Sequence, residues 1–554
     1  MIDIQQLASV VLILGGTMVA AWLVSPYVTS IYTRAPSRVD RILGPLENWI
    51  YRLTGTDPAH GMGWKEYFLA GLVLNLAQMA IAFAILTLQG ALPLDPMGFR
   101  GVSWGLALNT VVSFATNTNL QHFNGETTLS YLSQMGAIQF LEFTSAATGL
   151  CMGVALIRGL VVGSKDMGNF YVDFVRSLTR LLLPFCFVAA VVLVWMGVPQ
   201  TIGGYVPMKT LQGSPGYVLV GPVASLVSIM QLGTNGGGYY GANSAYPFMN
   251  PGPTSDVLEI CLMLLLPTTL VFVFGQLLGK KRESIPILLG AYLLFAVDLA
   301  IAFAPALPLN DAAGIETRIG GFFSVFWTVV TTAVTTGSVN TALSAMHPLV
   351  ILAGFMGMLI QATPGGEGVG LSYMVMYVII TVFIVGLMSG RTPEYLGIKI
   401  TSRDVKLVLV AFLLHPILIL APTIVAYASG AASAVGLSGG STGFTEVLYE
   451  FTSAAANNGS DFLGAAGNTL FFNLATAAVM FVGRYAPIGL MLALSGSVIG
   501  RKRSGEAGGL KTDSVGFSLV LVGSILILVV LTFLPFLALG PILSYFQGNV
   551  NGLG

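Results

Sequence analysis

Ten long apolar segments, separated by charged clusters, constrain the fold of this chain more than any other feature. A helix needs about 20 apolar residues to span a bilayer, whereas barrel strands are shorter and alternate in polarity. Only 9% of the 554 residues are charged, compared with about a quarter in soluble domains. The sequence therefore predicts an all-α polytopic membrane protein. The predicted spans are 7–24, 67–87, 128–157, 181–198, 257–278, 285–306, 348–389, 407–429, 470–497 and 517–539.

The seventh segment is too long for one helix. It is interrupted by the run Gln361-Ala-Thr-Pro-Gly-Gly-Glu-Gly-Val-Gly370, whose proline and glycines cannot continue a regular helix. We predict one interrupted span, because two complete crossings would move the basic clusters at Arg391 and Arg501 to the opposite side of the membrane. The first segment has no basic stretch before it and is predicted to be an uncleaved helix.

The basic residues define the orientation, because Lys and Arg gather on the cytoplasmic side of a membrane protein. With the N-terminus outside, ten alternating spans place most of the 24 Lys and Arg inside, including the cluster Arg501-Lys502-Arg503. Only Arg100, Lys209 and Arg318 then lie outside, and Arg484 lies within a span. Both termini are predicted to lie on the outer side.

Four polar runs lie between consecutive apolar segments and cannot themselves span lipid. The most distinctive is Leu232-Gly-Thr-Asn-Gly-Gly-Gly-Tyr-Tyr240. Backbone without internal hydrogen bonds is tolerated at membrane depth only where protein buries it or where it lines an aqueous path. We therefore predict four re-entrant loops that enter from the outer face. Their central triplets are Thr116-Asn117-Thr118, Thr234-Asn235-Gly236, Thr335-Thr336-Gly337 and Asn457-Asn458-Gly459.

The loops divide the chain into four pseudo-repeated helix–pore loop–helix units. Parallel repeats around an axis normal to the membrane are a known way to build a central path, and four loops from one face can form a four-sided constriction. A pore within a single chain is therefore predicted. The predicted units are 66–160, 172–282, 284–391 and 404–503, flanked by an N-terminal helix with its cytoplasmic connection (1–65) and a C-terminal helix with its tail (504–554).

The loop composition suits a monovalent cation. A desolvated alkali ion needs a ring of oxygens in place of its hydration shell, and backbone carbonyls from four loops can supply it. Glycine lets the carbonyls turn toward the axis, while Thr and Asn side chains can add oxygens or hold the backbone in place. The four triplets carry no formal charge, which disfavours a divalent-cation filter of carboxylates.

A simpler explanation of these runs is that small residues mediate helix packing, as they commonly do in membranes. Four copies in matching positions favour the pore loops over packing alone. The first loop, Thr116-Asn117-Thr118-Asn119, has no glycine and is predicted to form a less symmetric edge of the constriction.

Five stretches carry a resemblance to a known family. They are Phe114-Ala-Thr-Asn-Thr-Asn119, Gly125-Glu-Thr-Thr-Leu-Ser-Tyr131, Gly233-Thr-Asn-Gly-Gly-Gly238, Gly390-Arg-Thr-Pro-Glu-Tyr-Leu-Gly397 and Ala456-Asn-Asn-Gly-Ser460. Over essentially its whole length, the chain resembles KdpA, the potassium-binding subunits of the bacterial Kdp potassium-transporting ATPases.

The resemblance implies a fold of the superfamily of potassium transporters and a potassium selectivity filter made by the four loops. It also implies a location in the bacterial cytoplasmic (inner) membrane. The implied partners are a P-type ATPase catalytic subunit and small accessory membrane subunits. The implied transported ligand is potassium, without an organic cofactor. The family's third loop usually reads Ser-Cys-Gly. Thr335 and Thr336 depart from it, which leaves the carbonyl ring possible but changes the side-chain chemistry there.

Two charged residues and a glycine are candidates for the ion path below the filter. Arg484 would cost about 3 kcal/mol or more if it faced lipid, so it faces the interior, either as a barrier to cation leak or as an anchor to a carboxylate or carbonyl. Glu367 either lines the path or caps a half-helix. Gly370 ends the interrupted segment, which we predict to be a mobile gate.

Other functional classes find little support in the sequence. The three cysteines and four histidines are scattered, and no phosphate-binding loop or phosphorylatable Asp-Lys-Thr-Gly occurs, so the chain is not expected to hydrolyse ATP. Zero net charge gives no indication of a nucleic-acid partner, and lipid is the expected surrounding. The closest alternative function is a stand-alone potassium channel or cation symporter of the same fold.

Overall fold

The computed structural model describes residues 4–161, 163–305, 314–501 and 511–551. Within these ranges, ten helices are long and apolar enough to cross a membrane, which confirms the predicted all-α polytopic fold. Ala306, at the end of the sixth predicted span, and Lys502 and Arg503, in the last basic cluster, lie outside the described residues.

Twenty α-helices account for most of the described chain. They are α1 (Ile4–Thr33), α2 (Val39–Thr54), α3 (Trp64–Leu88), α4 (Trp104–Ala115), α5 (Gly125–Thr128), α6 (Tyr131–Ser133), α7 (Phe140–Leu160), α8 (Phe170–Arg176), α9 (Leu183–Trp195), α10 (Val223–Leu232), α11 (Pro253–Leu277), α12 (Ser284–Phe303), α13 (Gly321–Ala333), α14 (Pro348–Ile360), α15 (Val369–Met388), α16 (Ser402–Ala428), α17 (Gly440–Ala456), α18 (Leu470–Val498), α19 (Val515–Leu537) and α20 (Leu543–Asn551).

Shorter elements complete the fold. Helix α6 continues into α7, α8 into α9 and α19 into α20, each through one wider π-helical stretch: Gln134–Gln139, Ser177–Leu182 and Ala538–Ile542. Two small antiparallel hairpins lie between helices; they pair β1 (Val206–Lys209) with β2 (Pro215–Val218), and β3 (Glu394–Tyr395) with β4 (Ile398–Lys399). Single 3-10 turns cover Gln89–Ala91, Asn243–Ala245, Lys281–Glu283, Leu343–Ala345, Ala431–Val435 and Gly464–Gly467.

The two long helices of each predicted unit differ in burial. In chain order, the buried share of residues in the most apolar part of the second helices is 89%, 72%, 72% and 67%. The corresponding share in the first helices is 39%, 39%, 44% and 33%. The second helices, which we call the inner helices, are α6–α7, α11, α15 and α18. They surround the centre of the molecule, and the first helices have apolar faces left for lipid.

A short helix precedes each polar loop. These four pore helices, α4, α10, α13 and α17, are 10 to 17 residues long, and nearly all of their residues are buried. At 1.5 Å rise per residue they reach only about 15 to 25 Å and cannot cross a bilayer. They carry the chain into the centre of the molecule, where the loops begin.

The structure moves the starts of several predicted spans, and among the uninterrupted ones the fourth moves furthest. The third begins at Tyr131 rather than at residue 128, after the separate turn α5. The fourth begins at Phe170 rather than at residue 181, because its polar first turns are helical as well. Arg180, in these turns, is buried and pairs with Glu47 at 2.5 Å and with Asp40 at 2.5 Å.

The interrupted seventh segment forms two helices. Only α15 is long enough to cross a membrane, since α14 has 13 residues, so the segment counts as a single span, as predicted. The break between them ends α14 with Gln361 in a left-handed conformation (φ 55°).

Ion pairs join neighbouring helices at the basic end of the molecule. Arg158 at the end of α7 pairs with Asp173 in α8, and Arg501 beyond α18 pairs with Asp404 in α16 at 2.6 Å. These contacts tie the ends of long helices together on one side of the bundle.

Candidate functional site

The backbone of the four polar loops follows one repeated conformation. In each loop, two residues separated by one position have positive φ: Asn117 and Asn119 (62° and 59°), Thr234 and Gly236 (42° and 124°), Thr335 and Gly337 (48° and 88°), and Asn457 and Gly459 (51° and 105°). We refer to these as the first and third residues of loops 1 to 4.

This register shifts the first predicted triplet by one residue. Thr116 directly follows α4 as its C-cap and lies before the repeated conformation, so the equivalent triplet of loop 1 is Asn117-Thr118-Asn119. Asn119 therefore stands where the other loops have glycine. Asparagine adopts the left-handed conformation more readily than other residues with a Cβ, which allows the substitution.

The glycines of loops 2 to 4 each press against the next loop. A Cβ at Gly236 would lie 1.7 Å from the carbonyl oxygen of Thr336, and a Cβ at Gly337 would lie 1.9 Å from that of Asn458. A Cβ at Gly459 would lie 1.9 Å from the carbonyl oxygen of Thr118. Only glycine fits at these positions, and each contact joins one loop to its neighbour.

Side chains close the remaining junction. The amide of Asn117 in loop 1 donates to the carbonyl oxygens of Gly233 (3.1 Å) and Thr234 (2.8 Å) in loop 2. Loop 4 also reaches loop 1, since the Asn457 amide donates to the Thr118 hydroxyl at 2.9 Å. The four loops thus form a closed ring in chain order, which we call the loop ring.

The asparagine side chains of the loop ring brace the backbone. The amide of Asn458 donates to the Thr331 carbonyl at 2.9 Å, and its Oδ1 accepts from Ser460. The amide of Asn235 donates to the carbonyl of Glu142 at 3.2 Å, and its Oδ1 accepts from Ser145 at 3.1 Å. Because the side chains of Asn235 and Asn458 are engaged with the protein, their oxygens are not free to bind an ion.

All predicted loop residues are buried except Gly459, which is partly buried. The Thr336 hydroxyl is buried without a hydrogen bond among the described residues. A side chain in that setting acts chiefly through its volume. Threonine here, in place of the cysteine of the resembled family, changes the side chain and leaves the backbone carbonyl of residue 336 in place.

Buried acidic residues surround the loop ring, and the sequence analysis missed them. They are Glu142 on α7, Glu259 on α11 and Glu450 on α17, each 0% exposed. Each has one carboxyl oxygen without a hydrogen-bond partner among the described residues. The signal that could have found them is an acidic residue inside an apolar segment, which is costly unless it faces the protein interior.

Each of these acids is held by polar neighbours. Glu259 accepts from Gln231 at 2.7 Å and from Ser244 at 3.0 Å. Glu450 lies 2.9 Å from Nε2 of His122, the residue that follows loop 1 by three positions. Glu142 accepts from the amide of Asn119 at 3.1 Å.

The interrupted segment 361–370 lies against the inner end of the loop ring, where the pore helices end. The backbone N–H of Gly365 donates to the carbonyl of Ala333 at 2.9 Å, and that of Glu367 donates to the Thr234 hydroxyl at 3.3 Å. A Cβ at Gly370 would lie 2.4 Å from the Pro364 carbonyl oxygen. The whole segment is buried, so its glycines serve close packing as well as the break in the helix.

Glu367 and Arg484 converge beside Gly149 of α7. A Cβ at Gly149 would lie 2.6 Å from the Glu367 carbonyl oxygen and 2.9 Å from Nη2 of Arg484. Arg484 is 5% exposed, and no hydrogen bond or ion pair to it occurs among the described residues. Both carboxyl oxygens of Glu367 likewise lack hydrogen bonds there, although the two charges interact electrostatically.

These observations bear on the alternatives for both residues. An anchor for Arg484 would be a carboxylate or carbonyl within bonding distance, and the described part of the chain shows none. A capping role for Glu367 would be a bond from its carboxylate to the start of α15, but the residue at that cap is Gly368, without a side-chain bond.

Three comparisons with known proteins bear on the chain as a whole. The family described as KdpA, potassium-transporting ATPase A subunit, matches residues 11–546. A potassium-transporting ATPase potassium-binding subunit from Caldanaerobacter subterraneus is 43% identical over 94% of this chain and 95% of its own. Its counterpart from Alicyclobacillus acidocaldarius is 45% identical over 96% of this chain and 98% of its own.

A solved structure supports the same fold. The crystal structure of the potassium transporter TrkH from Vibrio parahaemolyticus superposes with a TM-score of 0.51 and 15% identity, covering 88% of this chain and 97% of that one. Together with the match across residues 11–546, the two relatives above 40% identity establish that this chain is a member of the KdpA family, the A subunits of potassium-transporting ATPases.

Proposed function

We propose that this chain binds extracellular potassium ions and moves them across the bacterial cytoplasmic membrane, as the ion-selective subunit of an ATP-driven uptake complex. The observation that carries the proposal is the loop ring, a closed circle of four uncharged loops in which Asn117, Asn235 and Asn458 brace the backbone. Its relatives are named potassium-binding subunits of a potassium-transporting ATPase.

The chemistry of the loop ring favours a monovalent cation. Carbonyl oxygens are partial charges, and a ring of them replaces the hydration shell of an alkali ion at low cost. A divalent cation would call for carboxylates in the first shell, and the loop triplets contain none. The filter residues of the proposal are those predicted from the sequence, with Asn119 added as the third residue of loop 1.

The energy for uptake comes from another chain. The sequence has no phosphate-binding loop and no Asp-Lys-Thr-Gly, and the relatives are named as subunits. We therefore assign ATP hydrolysis to a P-type ATPase catalytic subunit and expect small accessory membrane subunits beside it. Co-purification of the ATPase chain with this one tests the assignment, while potassium flux through the isolated chain would favour the stand-alone channel or symporter.

The membrane orientation and the unit boundaries complete the proposal. The basic clusters favour an orientation with the connections 34–63 and 161–169 in the cytoplasm and both termini outside. The four units are those predicted from the sequence, 66–160, 172–282, 284–391 and 404–503. Labelling of single cysteines introduced at exposed positions of the connections distinguishes the two orientations.

We assign the ion path beyond the loop ring to the region of Glu367, Gly370 and Arg484. Glu367 and Arg484 are buried charges without hydrogen bonds in the described chain, and buried charges of this kind usually face a path or a partner. The segment 361–370 touches loops 2 and 3 directly, so a shift of this segment would reach the filter.

The test of the filter is the substitution Gly236→Asp. A Cβ at this position would overlap the Thr336 carbonyl, and φ is 124°, so the ring must distort. We expect potassium affinity to fall by at least about tenfold and discrimination against sodium and rubidium to weaken, since selectivity depends on ring geometry and field strength. The readout is ATP hydrolysis by the purified complex as a function of each ion.

Gly252→Asp provides the matched control. Gly252 belongs to the same unit, has extended backbone, and has no atom within 4 Å of an added Cβ. It caps the N-terminus of α11, where aspartate is favourable. Normal affinity and selectivity are expected for this variant. An assembled Gly236→Asp complex with unchanged potassium affinity and selectivity would remove loop 2 from the filter.

A further inference from the structure

Loop 1 differs from the other three at its third residue. Asn119 occupies the position that is glycine in loops 2, 3 and 4, and its φ of 59° lies in the left-handed region. A residue with a Cβ is less stable in that region than glycine. The conformation of loop 1 therefore requires support that the glycine loops do not need.

The support comes from one buried hydrogen bond. The amide of Asn119 donates to Oε1 of Glu142 at 3.1 Å, and the two side chains are 2% and 0% exposed. Oδ1 of Asn119 and Oε2 of Glu142 have no other hydrogen-bond partner in the described chain. Within the described residues, the two side chains are thus hydrogen-bonded only to each other.

The same turn of α7 also fastens loop 2. The backbone carbonyl of Glu142 accepts from the Asn235 amide at 3.2 Å. One turn on, the Ser145 hydroxyl lies 2.8 Å from Oδ1 of Asn117 and 3.1 Å from Oδ1 of Asn235. The junction of loops 1 and 2 is therefore built on this helix turn, whereas the other three junctions include direct glycine-to-carbonyl contact.

Loop 2 leaves space for the asparagine. A Cβ at Gly237 would lie 2.8 Å from the Cβ of Asn119 and 2.5 Å from the ring of Phe114. The glycine missing from loop 1 is thus matched by an additional glycine in loop 2. Loops 1 and 2 are therefore complementary in shape at Asn119 and Gly237.

We infer that Glu142 is a positioning residue of the selectivity filter. Its carboxyl group holds Asn119 in the left-handed conformation and so sets the spacing of loops 1 and 2. The inference rests on the proposed function of the loop ring. Glu142 touches no ion in this arrangement; it acts through Asn119, and its hydrogen-bond acceptor matters rather than its charge.

Two substitutions separate acceptor from charge. Glu142→Gln keeps an acceptor oxygen at the same distance and removes the charge, so potassium affinity and selectivity are expected to stay within about threefold of the parent. Glu142→Leu keeps the volume of the side chain but leaves the buried amide of Asn119 unpaired. The potassium concentration at half-saturation is therefore expected to rise about tenfold or more. The same substitution should also reduce discrimination against rubidium and sodium.

A change in the loop itself provides the rescue. Asn119→Gly gives loop 1 the same third residue as the other loops and removes the amide that needs a partner. In the Asn119→Gly background, Glu142→Leu is expected to lower potassium affinity by no more than about a further twofold. The amide that Glu142→Leu would leave unpaired is no longer present in that background. Should Glu142→Leu fail to assemble, Asn119→Ala breaks the same link from the loop side and is expected to lower selectivity equally.

The measurement is ATP hydrolysis by the purified complex against potassium, rubidium and sodium, with assembly checked by size-exclusion chromatography. Equal losses from Glu142→Leu in the parent and in the Asn119→Gly background would overturn the inference, as would equal losses from the Gln and Leu variants. Reduced assembly with normal selectivity in the surviving complex, for Glu142→Leu and Asn119→Ala alike, would also overturn it. If Gly236→Asp alters selectivity while these variants do not, only the role of Glu142 fails; if none does, the proposed filter fails with it.

Discussion

The loop ring and the region directly beside its inner end are both buried at the centre of the molecule, yet they hold polar groups in opposite ways. In the ring, Asn117, Asn235 and Asn458 are fully engaged in bracing bonds and no residue is charged. Beside it, Glu367 and Arg484 are ionisable and make no hydrogen bonds among the described residues.

The difference indicates a division of labour. A neutral ring that is braced by these bonds keeps one geometry, which a selective binding site requires. Two buried ionisable groups without hydrogen-bond partners are expensive to keep, and such groups are usually retained where ions or protons pass. Selection and passage are thus assigned to adjacent but chemically distinct regions, and three experiments test that separation.

Gly337→Ala is expected to have the largest effect, on the ring alone. The added Cβ would lie 1.9 Å from the Asn458 carbonyl oxygen at a φ of 88°. Potassium affinity should fall at least about tenfold with changed selectivity, as measured by ion-stimulated ATP hydrolysis. The control Gly430→Ala has a similar φ of 76° and no atom within 4 Å, and it should behave like the parent. Normal affinity in an assembled Gly337→Ala complex would contradict the ring geometry.

Arg484→Gln tests the neighbouring region and is expected to have an intermediate effect. Removing the buried positive charge should raise passive potassium flux into vesicles about tenfold, equivalent to about 1.4 kcal/mol of barrier, while potassium affinity stays near that of the parent. Passive ion flux in reconstituted vesicles without ATP measures this directly. The exposed Arg52, changed to Gln, serves as the control.

The opposite result for Arg484→Gln would be informative as well. A loss of assembled complex with tight vesicles would identify the arginine as an anchor. A parallel fall in potassium affinity would show that the ring and the region beside it act as one unit, which would break the comparison.

Thr336→Val is expected to have the smallest effect. Its hydroxyl makes no hydrogen bond within the described ranges of the chain, and replacing an unpaired buried hydroxyl by a methyl group is nearly neutral. The potassium affinities of Thr336→Val and Thr336→Cys should therefore each differ from that of the parent by less than about twofold. In contrast, Asn458→Leu removes the bonds to Thr331 and Ser460 and should lower affinity strongly. A strong effect of Thr336→Val would mean that side-chain oxygens, rather than carbonyls alone, contact the ion.

The parts of the fold that follow from hydrophobicity were predictable. Long apolar segments and the distribution of basic residues were sufficient to predict ten spans, including the single crossing of the interrupted segment. The pore helices were not predicted, because 10 to 17 residues fall below the spanning length and their apolar faces resemble ordinary leads into a loop. The start of the fourth span, Phe170–Trp195, was missed because Arg180 forms buried ion pairs inside a helical turn.

The site was predictable in composition but not in register. The triplets of loops 2, 3 and 4 share a terminal glycine, whereas in loop 1 the equivalent residue is Asn119, and only the backbone conformation reveals the equivalence. Glu142 was missed for a related reason. Its role depends on a contact across 23 positions of the chain, which no local pattern of residues encodes.

The four pore helices also have an electrostatic consequence. Each ends directly at the loop ring: α4 at Ala115, α10 at Leu232, α13 at Ala333 and α17 at Ala456. The C-terminus of a helix carries about half a negative charge from its aligned peptide dipoles, so the four ends together direct about two negative charges toward the centre. This field comes from the backbone. It would attract cations whatever side chains line the path, and it would persist at any pH at which the protein remains folded.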